Sequence, residues 1–418
     1  MYWIIPVIII LSLFLYQPVY TSPQIDSLAA RLDSLESRLS KLQEKEQQEQ
    51  LRLLREAAQK STVTVENQQG ELPQKSFSER SRALQALNPE ISLTGDMLGK
   101  YLMKVPHYTQ QERSGFQFRV AELALQSNLD PFSMAKVIFE FSPEEIGLAE
   151  AYITWINALP RLNIKAGKFR QQFGVINRWH AHALDQIEYP LPIALFMGEE
   201  GLNQIGISAS WLMPSKLADA SELVLEVTNA QNEVLFSGDE FSLPATLLHF
   251  KNYYDLNPDT YLEWGVSGLA GTNDSLGFTF DQAHRWSYMA GLDLTVSWRP
   301  LQQALYRGLV WRSEFFFVKK EMMNSDAMTA LGAYSYLDYR LGRRFIAGIR
   351  GDYAQPLELD NSNRSIWKLI PYVTFWQSEF VYFRLEFAHQ QGKNLEVNDN
   401  RFTLQLNWSL GPHKHEKY

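Results

Sequence analysis

The chain has 418 residues, a formal net charge of −8 and no cysteine; 13% of its residues are aromatic, including 11 Trp and 19 Tyr. Mean hydropathy is −0.26. The length suits one large domain with an appendage. The acid excess argues against a nucleic-acid partner, and the lack of cysteine excludes a disulfide framework, a thiolate zinc site and a lipoprotein anchor. After residue 20 no run of 18 uninterrupted apolar residues occurs, which excludes a helical membrane protein.

Residues 1–22 read as a secretory signal peptide. The first charged side chain is Asp26, and Ile4 to Tyr16 is almost continuously apolar. Two features depart from that pattern: no Lys or Arg precedes the apolar run, and Val19-Tyr20-Thr21-Ser22 is poor in the usual small residues. The alternative, an uncleaved helical anchor, would conflict with the strands that follow.

Leu28, Leu32, Leu35, Leu39 and Leu42 then recur at spacings of 4 and 3, with Arg31, Asp33, Glu36, Arg38 and Lys41 between them. This a/d seam predicts a helix over 23–59, read as a short periplasmic coiled coil between protomers rather than a helix lying on its own barrel. So short a seam is marginal alone and needs a further contact. Residues 60–89 are polar, contain Gly70 and Pro73, and read as a linker.

From residue 90 to 412 the pattern changes to period two. The last strand, Arg401 to Leu410, puts Phe402, Leu404, Leu406, Trp408 and Leu410 on one face and Thr403, Gln405, Asn407 and Ser409 on the other. One face is apolar, the other uncharged and polar, and the length matches a tilted membrane-crossing strand of roughly 9–11 residues. Similar segments begin near Ile91, Phe116, Met134, Leu148, Leu162, Gln204, Glu222, Thr246, Tyr261, Trp286, Leu309, Met328, Phe345, Ile366 and Phe380. About sixteen antiparallel strands are therefore predicted, in an all-β transmembrane barrel carrying an N-terminal helical segment. Pro371 requires a bulge or an edge-like break in its strand.

Connection lengths alternate. Those at Asp130-Pro131, Leu159-Pro160, Asn257-Pro258 and Gln377-Ser378 are short, whereas those after Leu102, Phe169, Asn229 and Ala270 are longer, with Ser142-Pro143 an exception. Bacterial barrels have short periplasmic turns, long outer loops and both termini in the periplasm. The longest connection, 170–202, follows the fifth strand and holds Phe173, Val175, Ile176, Trp179, Leu184, Ile187, Leu191, Ile193, Leu195 and Phe196. So many apolar groups need somewhere to pack, and the barrel interior can supply it. Arg178, Asp185, Glu188, Glu199 and Glu200 are placed to add polar contacts to the wall.

At this point the chain resembles the sixteen-stranded bacterial outer-membrane porins, in which the third outer loop folds inward and narrows the pore. Ala166-Gly167-Lys168-Phe169 followed by Phe173-Gly174 is similar to the strand end entering this loop in the phosphate-selective-type porins, some of which carry an N-terminal helical coil. The resemblance implies a passive channel for small hydrophilic solutes or ions, a homotrimer in outer-membrane lipid of a Gram-negative cell, and a constriction formed by Arg170, Arg178, His180, His182, Asp185, Glu188, Glu199 and Glu200. The pore lining would include Arg119, Lys136, Glu140, Lys165, Glu222, Glu226, Asp293, Arg312, Arg350 and Arg384. Anion-selective members carry a large excess of Arg and Lys there; this lining is mixed, so phosphate selectivity does not transfer.

Charged residues inside a barrel are the expected lining and no sign of catalysis. His180-Ala181-His182 and His413-Lys414-His415 are the clustered histidines, the first in the long loop and the second in the 413–418 tail. On an extended chain both rings of such a pair project to one side and can bind zinc or copper; no metal or cofactor is assigned. His284 and Ser287 lack an identifiable third partner for hydrolysis, and the chain is read as no enzyme. The rival to a channel is a structural or binding barrel that tethers the envelope through its coil, with an outer-membrane hydrolase third.

Overall fold

The computed structural model describes residues 90–103, 114–214, 218–238, 243–274, 283–323, 326–359, 361–395 and 398–411. The signal peptide, coiled coil, linker and His413/His415 tail read from the sequence lie outside these residues. Sixteen strands follow in chain order. The first eight are β1 (Glu90–Leu102), β2 (Gly115–Asp130), β3 (Ser133–Phe141), β4 (Ile146–Leu159), β5 (Leu162–Arg170), β6 (Asn203–Met213), β7 (Ala220–Thr228) and β8 (Ala245–Asn257). The second eight are β9 (Thr260–Thr272), β10 (Trp286–Trp298), β11 (Gly308–Lys320), β12 (Met328–Arg340), β13 (Phe345–Ala354), β14 (Ser365–Trp376), β15 (Val381–Lys393) and β16 (Asn398–Leu410).

Each strand pairs antiparallel with its sequence neighbours, and β1 closes the barrel on β16 from Leu93 opposite Leu410 to Leu102 opposite Arg401. Closure leaves no edge and satisfies the ladder internally, the condition for crossing hydrocarbon with strands. Alternation fixes which face is which. In β16 Arg401, Thr403, Gln405 and Asn407 are buried while Phe402 and Leu404 are exposed. The same inversion runs round the wall, where Leu385, Leu369, Ile349, Leu337 and Leu292 face outward. An apolar outer wall around a polar enclosure is unfavourable in water and suits a bilayer. Trp286 stacks on Tyr288 at 6.2 Å on the outer wall near one rim, and Phe345 packs on Phe375 at 5.0 Å near the other, where aromatic side chains meet the two interfaces.

Pro371 is accommodated as a gap rather than a bulge. It sits opposite Ile349 of β13, while the β14–β15 pairing skips from Leu369–His389 to Tyr372–Glu386 without changing register. A residue that cannot donate to the ladder is thereby tolerated.

Candidate functional site: the loop across the barrel

The connection between β5 and β6 spans 171–202. It has two short 3-10 turns, Ile176–Arg178 and Ala181–Ala183, and one helix, α1 (Leu191–Met197). Its path is set by side chains of the wall that accept its backbone amides. The Gln172 amide donates to Glu226 of β7 (3.1 Å) and that of Gly174 to Ser267 of β9 (3.0 Å). Val175 and Ile176 both donate to Glu314 Oε1 of β11 (2.9 and 3.0 Å), Ile187 to Glu386 of β15 (2.8 Å), and Leu191 to Asp352 of β13 (3.0 Å). From β2, Arg119 donates to the Ile187 carbonyl (2.6 Å). A segment outside a closed wall could not touch β2, β9 and β15 together, so these contacts belong to the enclosed side.

Gly174 has φ +61°, and a Cβ there would lie 2.1 Å from Glu314 Oε2. Only glycine turns the chain this close to the carboxylate that holds it. The helix begins with Pro190 and Leu191, and Asp352 caps its first amide, a favourable place for an acid.

Beneath the loop the enclosed wall is apolar. Phe173, Val175, Ile176, Trp179, Ile193, Phe196 and Met197 form one cluster with Leu247, Leu269, Met289, Phe316, Val318 and Ala330 of the strands. Ala230, Leu235 and Phe236, from the connection after β7, join it. Gly291 and Gly332 leave room: a Cβ would lie 2.5 Å from Phe173 and 2.6 Å from Phe196 respectively. The wall side of this patch is not legible from alternation alone, which assigns the enclosed face of a strand to polar groups. The signals were present in Phe315-Phe316-Phe317-Val318, apolar on both faces, and in the Val234-Leu235-Phe236 triplet within an outer connection.

The remaining loop charges meet a band of Arg, Lys and Tyr. Asp185 accepts from the Tyr336 hydroxyl (2.8 Å) and lies 3.6 Å from Arg312, which stacks over Trp179 at 4.7 Å. Glu188 pairs with Lys368 (2.9 Å) and Arg401, and its carbonyl accepts from Arg350 (2.8 Å). Burial would raise the Glu188 pKa, but Lys368 and Arg401 outweigh it and hold the carboxyl well below its ordinary value. Gln186 donates to the Tyr372 hydroxyl (2.6 Å) and Tyr382 to the His182 carbonyl (2.9 Å). Lys368, Arg401, Tyr336, Tyr372 and Tyr382 were not singled out from the sequence; period two gives a residue's face but neither its height nor its angular position.

Arg178 is half-buried at the end of the first 3-10 turn. Arg170 donates its amide to Glu150 (3.2 Å) and lies over the Tyr189 ring at 5.9 Å. Glu199 and Glu200 are exposed on the turn after α1. Of the wall residues, Lys136 pairs with Glu150 (3.6 Å), Lys165 lies over Tyr152 (4.5 Å), and Glu222 accepts from Ser210 (2.5 Å). Arg350 pairs with Asp352 (3.0 Å), and Arg384 donates to Gln405 (3.0 Å). Asp293 is buried on the enclosed face of β10.

His182 lies on the second 3-10 turn, and His180 is the extended residue that enters it. His180 Nδ1 lies 3.0 Å from Glu122 and 3.3 Å from Glu140, its Nε2 3.4 Å from Glu150, and His182 Nδ1 3.5 Å from Glu122. Burial would lower the His180 pKa; Glu122, with help from Glu140, holds it well above the ordinary value. His284 pairs with Asp274 at 3.0 Å, while the Ser287 hydroxyl donates to the Leu235 carbonyl.

No family model matches the chain. An uncharacterized protein of Aquifex aeolicus (strain VF5) is 26% identical over 344 residues, covering 73% of this chain and 71% of that protein. Among solved structures, an anion-selective porin from Comamonas acidovorans aligns with a TM-score of 0.54 at 7% identity, over 77% of this chain and 100% of the porin. The outer membrane channel DcaP of Acinetobacter baumannii gives 0.51 at 11% identity, over 77% and 96%. OmpT of Vibrio cholerae in its trimer form gives 0.51 at 8%, over 77% and 99%. The chain therefore has the fold of the bacterial outer-membrane porins: a closed antiparallel barrel of sixteen strands.

Proposed function

We propose that the protein is a passive diffusion channel for small hydrophilic solutes in a Gram-negative outer membrane, with segment 171–202 setting its narrowest passage. The observation that carries this reading is the loop's attachment to polar side chains from β2 round to β15. Such anchoring suits a fixed constriction and not a mobile outer loop. Asp185 and Glu188 on the loop face Arg312, Lys368 and Arg401 on the wall, so opposite charges would border the passage and orient polar solutes. Arg170, Arg178, His180, His182, Glu199 and Glu200 complete the proposed constriction. The mixed lining supports no strong preference for phosphate, despite the likeness at 166–174. A homotrimer in outer-membrane lipid, with the N-terminal helix in the periplasm, completes the proposal, and no reaction is assigned. Permeation tests it: liposomes carrying the protein should swell in small sugars and progressively less in larger ones. One observation favours the rival reading of a structural tether, the burial of enclosed side chains such as Arg350 and Phe196. Folded protein that permits no swelling with any solute would favour the tether.

A further inference from the structure

The polar groups around His180 have a geometry that a constriction does not by itself require. Glu122 Oε, Glu140 Oε and His180 Nδ1 all lie within 4.8 Å of one another. His180 Nδ1 lies 3.0 Å from Glu122 and 3.3 Å from Glu140, and His182 Nδ1 lies beside the group, 3.5 Å from Glu122. With bonds of roughly 2.0–2.1 Å, neighbouring ligand atoms of a tetrahedral zinc ion are about 3.3 Å apart. We propose that His180, Glu122 and Glu140 form a site with three protein ligands for a divalent transition-metal ion, zinc foremost, its fourth position left to water, that ties the loop to β2 and β3.

Three further features agree. Coordination through Nδ1 leaves Nε2 of His180 facing Glu150 at 3.4 Å, the carboxylate–histidine–metal arrangement that orients a ligand imidazole. Glu150 is itself held by Lys136 at 3.6 Å. The charges also balance, since two carboxylates, one neutral imidazole and a divalent ion sum to zero in a site where Glu122 and His180 are buried. Glu140 is the more open ligand, with 28% of its side chain exposed against 1% for Glu122, and gives an ion its way in. An imidazole nitrogen beside two carboxylate oxygens favours zinc, copper or cobalt over magnesium and calcium, which prefer all-oxygen shells. The site stands or falls by ion binding, whatever the barrel conducts.

The experiment uses full-length protein in detergent, stripped with a chelator, its fold checked by heat-dependent mobility on SDS gels. Zn2+ is titrated against a chromophoric chelator, and Co2+ is followed by visible absorption. One Zn2+ per chain should bind in the presence of excess Mg2+, and Co2+ should give the intense bands of tetrahedral coordination. His180→Gln should abolish binding, and Glu150→Gln, which touches the ligand and not the ion, should weaken it about 10–100-fold. Replacing His413 and His415 together with Asn should leave the stoichiometry unchanged. Absence of saturable Zn2+ binding by the wild type overturns the proposal, leaving an imidazolium held by carboxylates. Loss of binding in the His413/His415 variant, with retention in His180→Gln, overturns it equally by placing the ion in the tail.

Discussion

Glu314 holds two successive amides of the loop from the wall, and Glu314→Ala tests how the loop is held. Its Oε1 accepts the amides of Val175 (2.9 Å) and Ile176 (3.0 Å) and the hydroxyl of Tyr334 (2.6 Å). Val175 and Ile176 are each 1% exposed, so their amides would lose their acceptor in a dry place. An orphaned buried amide costs about 1–3 kcal/mol, and the pair about 2–6 kcal/mol, with water admitted to the vacated space favouring the lower end. At 1.4 kcal/mol per tenfold, hydrogen-exchange protection of loop peptides around 173–178 should fall at least about 30-fold. Glu314→Gln keeps a carbonyl acceptor and should lose less. Neither variant should change heat-dependent SDS mobility, because the ladder joining Glu314 to Asp293 and Tyr334 is made by backbone. Wild-type protection in Glu314→Ala would refute the reasoning and leave apolar packing as the loop's support.

Other outcomes follow from the same geometry. Gly332→Ala places a Cβ 2.6 Å from Phe196 and 2.7 Å from Pro192; overpacking of about 1–3 kcal/mol should speed proteolysis within 191–197 while the barrel stays intact. Glu188 has a folded pKa held below its unfolded value by Lys368 and Arg401. Its contribution is therefore full above the ordinary carboxylate pKa, near 4.3, and lost only as pH falls through the lowered folded value. Exchange protection of 185–191 should be equal at about pH 7 and 5 in the wild type and reduced at both in Glu188→Gln; a loss already complete at about pH 5 in the wild type would contradict this assignment. Replacing Glu199 and Glu200 with Gln removes two exposed acids from the loop's exit and should shift reversal potentials toward anions, an effect that salt reduces.

The strands were legible because lipid outside and water inside impose opposite demands on successive residues. In β16, Phe402 and Leu404 against Thr403 and Gln405 suffice to assign both faces. The loop announced itself by apolar content that no outer loop can leave in solvent. Its partners were not legible, since barrel closure brings Glu314 and Glu386, separated by 72 positions in the chain, to the same short segment. The enclosed patch of Leu247, Leu269 and Phe316 was hidden for another reason: an apolar residue on a presumed wet face looks like broken alternation. His180 and His182 were visible as a pair, but Glu122 entered only through the fold.

The central claim is that this barrel conducts and that segment 171–202 limits it. Single-channel recording in planar bilayers, comparing the wild type with a variant lacking Ile176 to Leu195, tests both parts directly. The wild type should show stable steps, and the deletion, with insertion confirmed by heat-dependent mobility, should show larger steps and admit larger solutes. Equal conductance in the two proteins, or none in the wild type, would contradict the account.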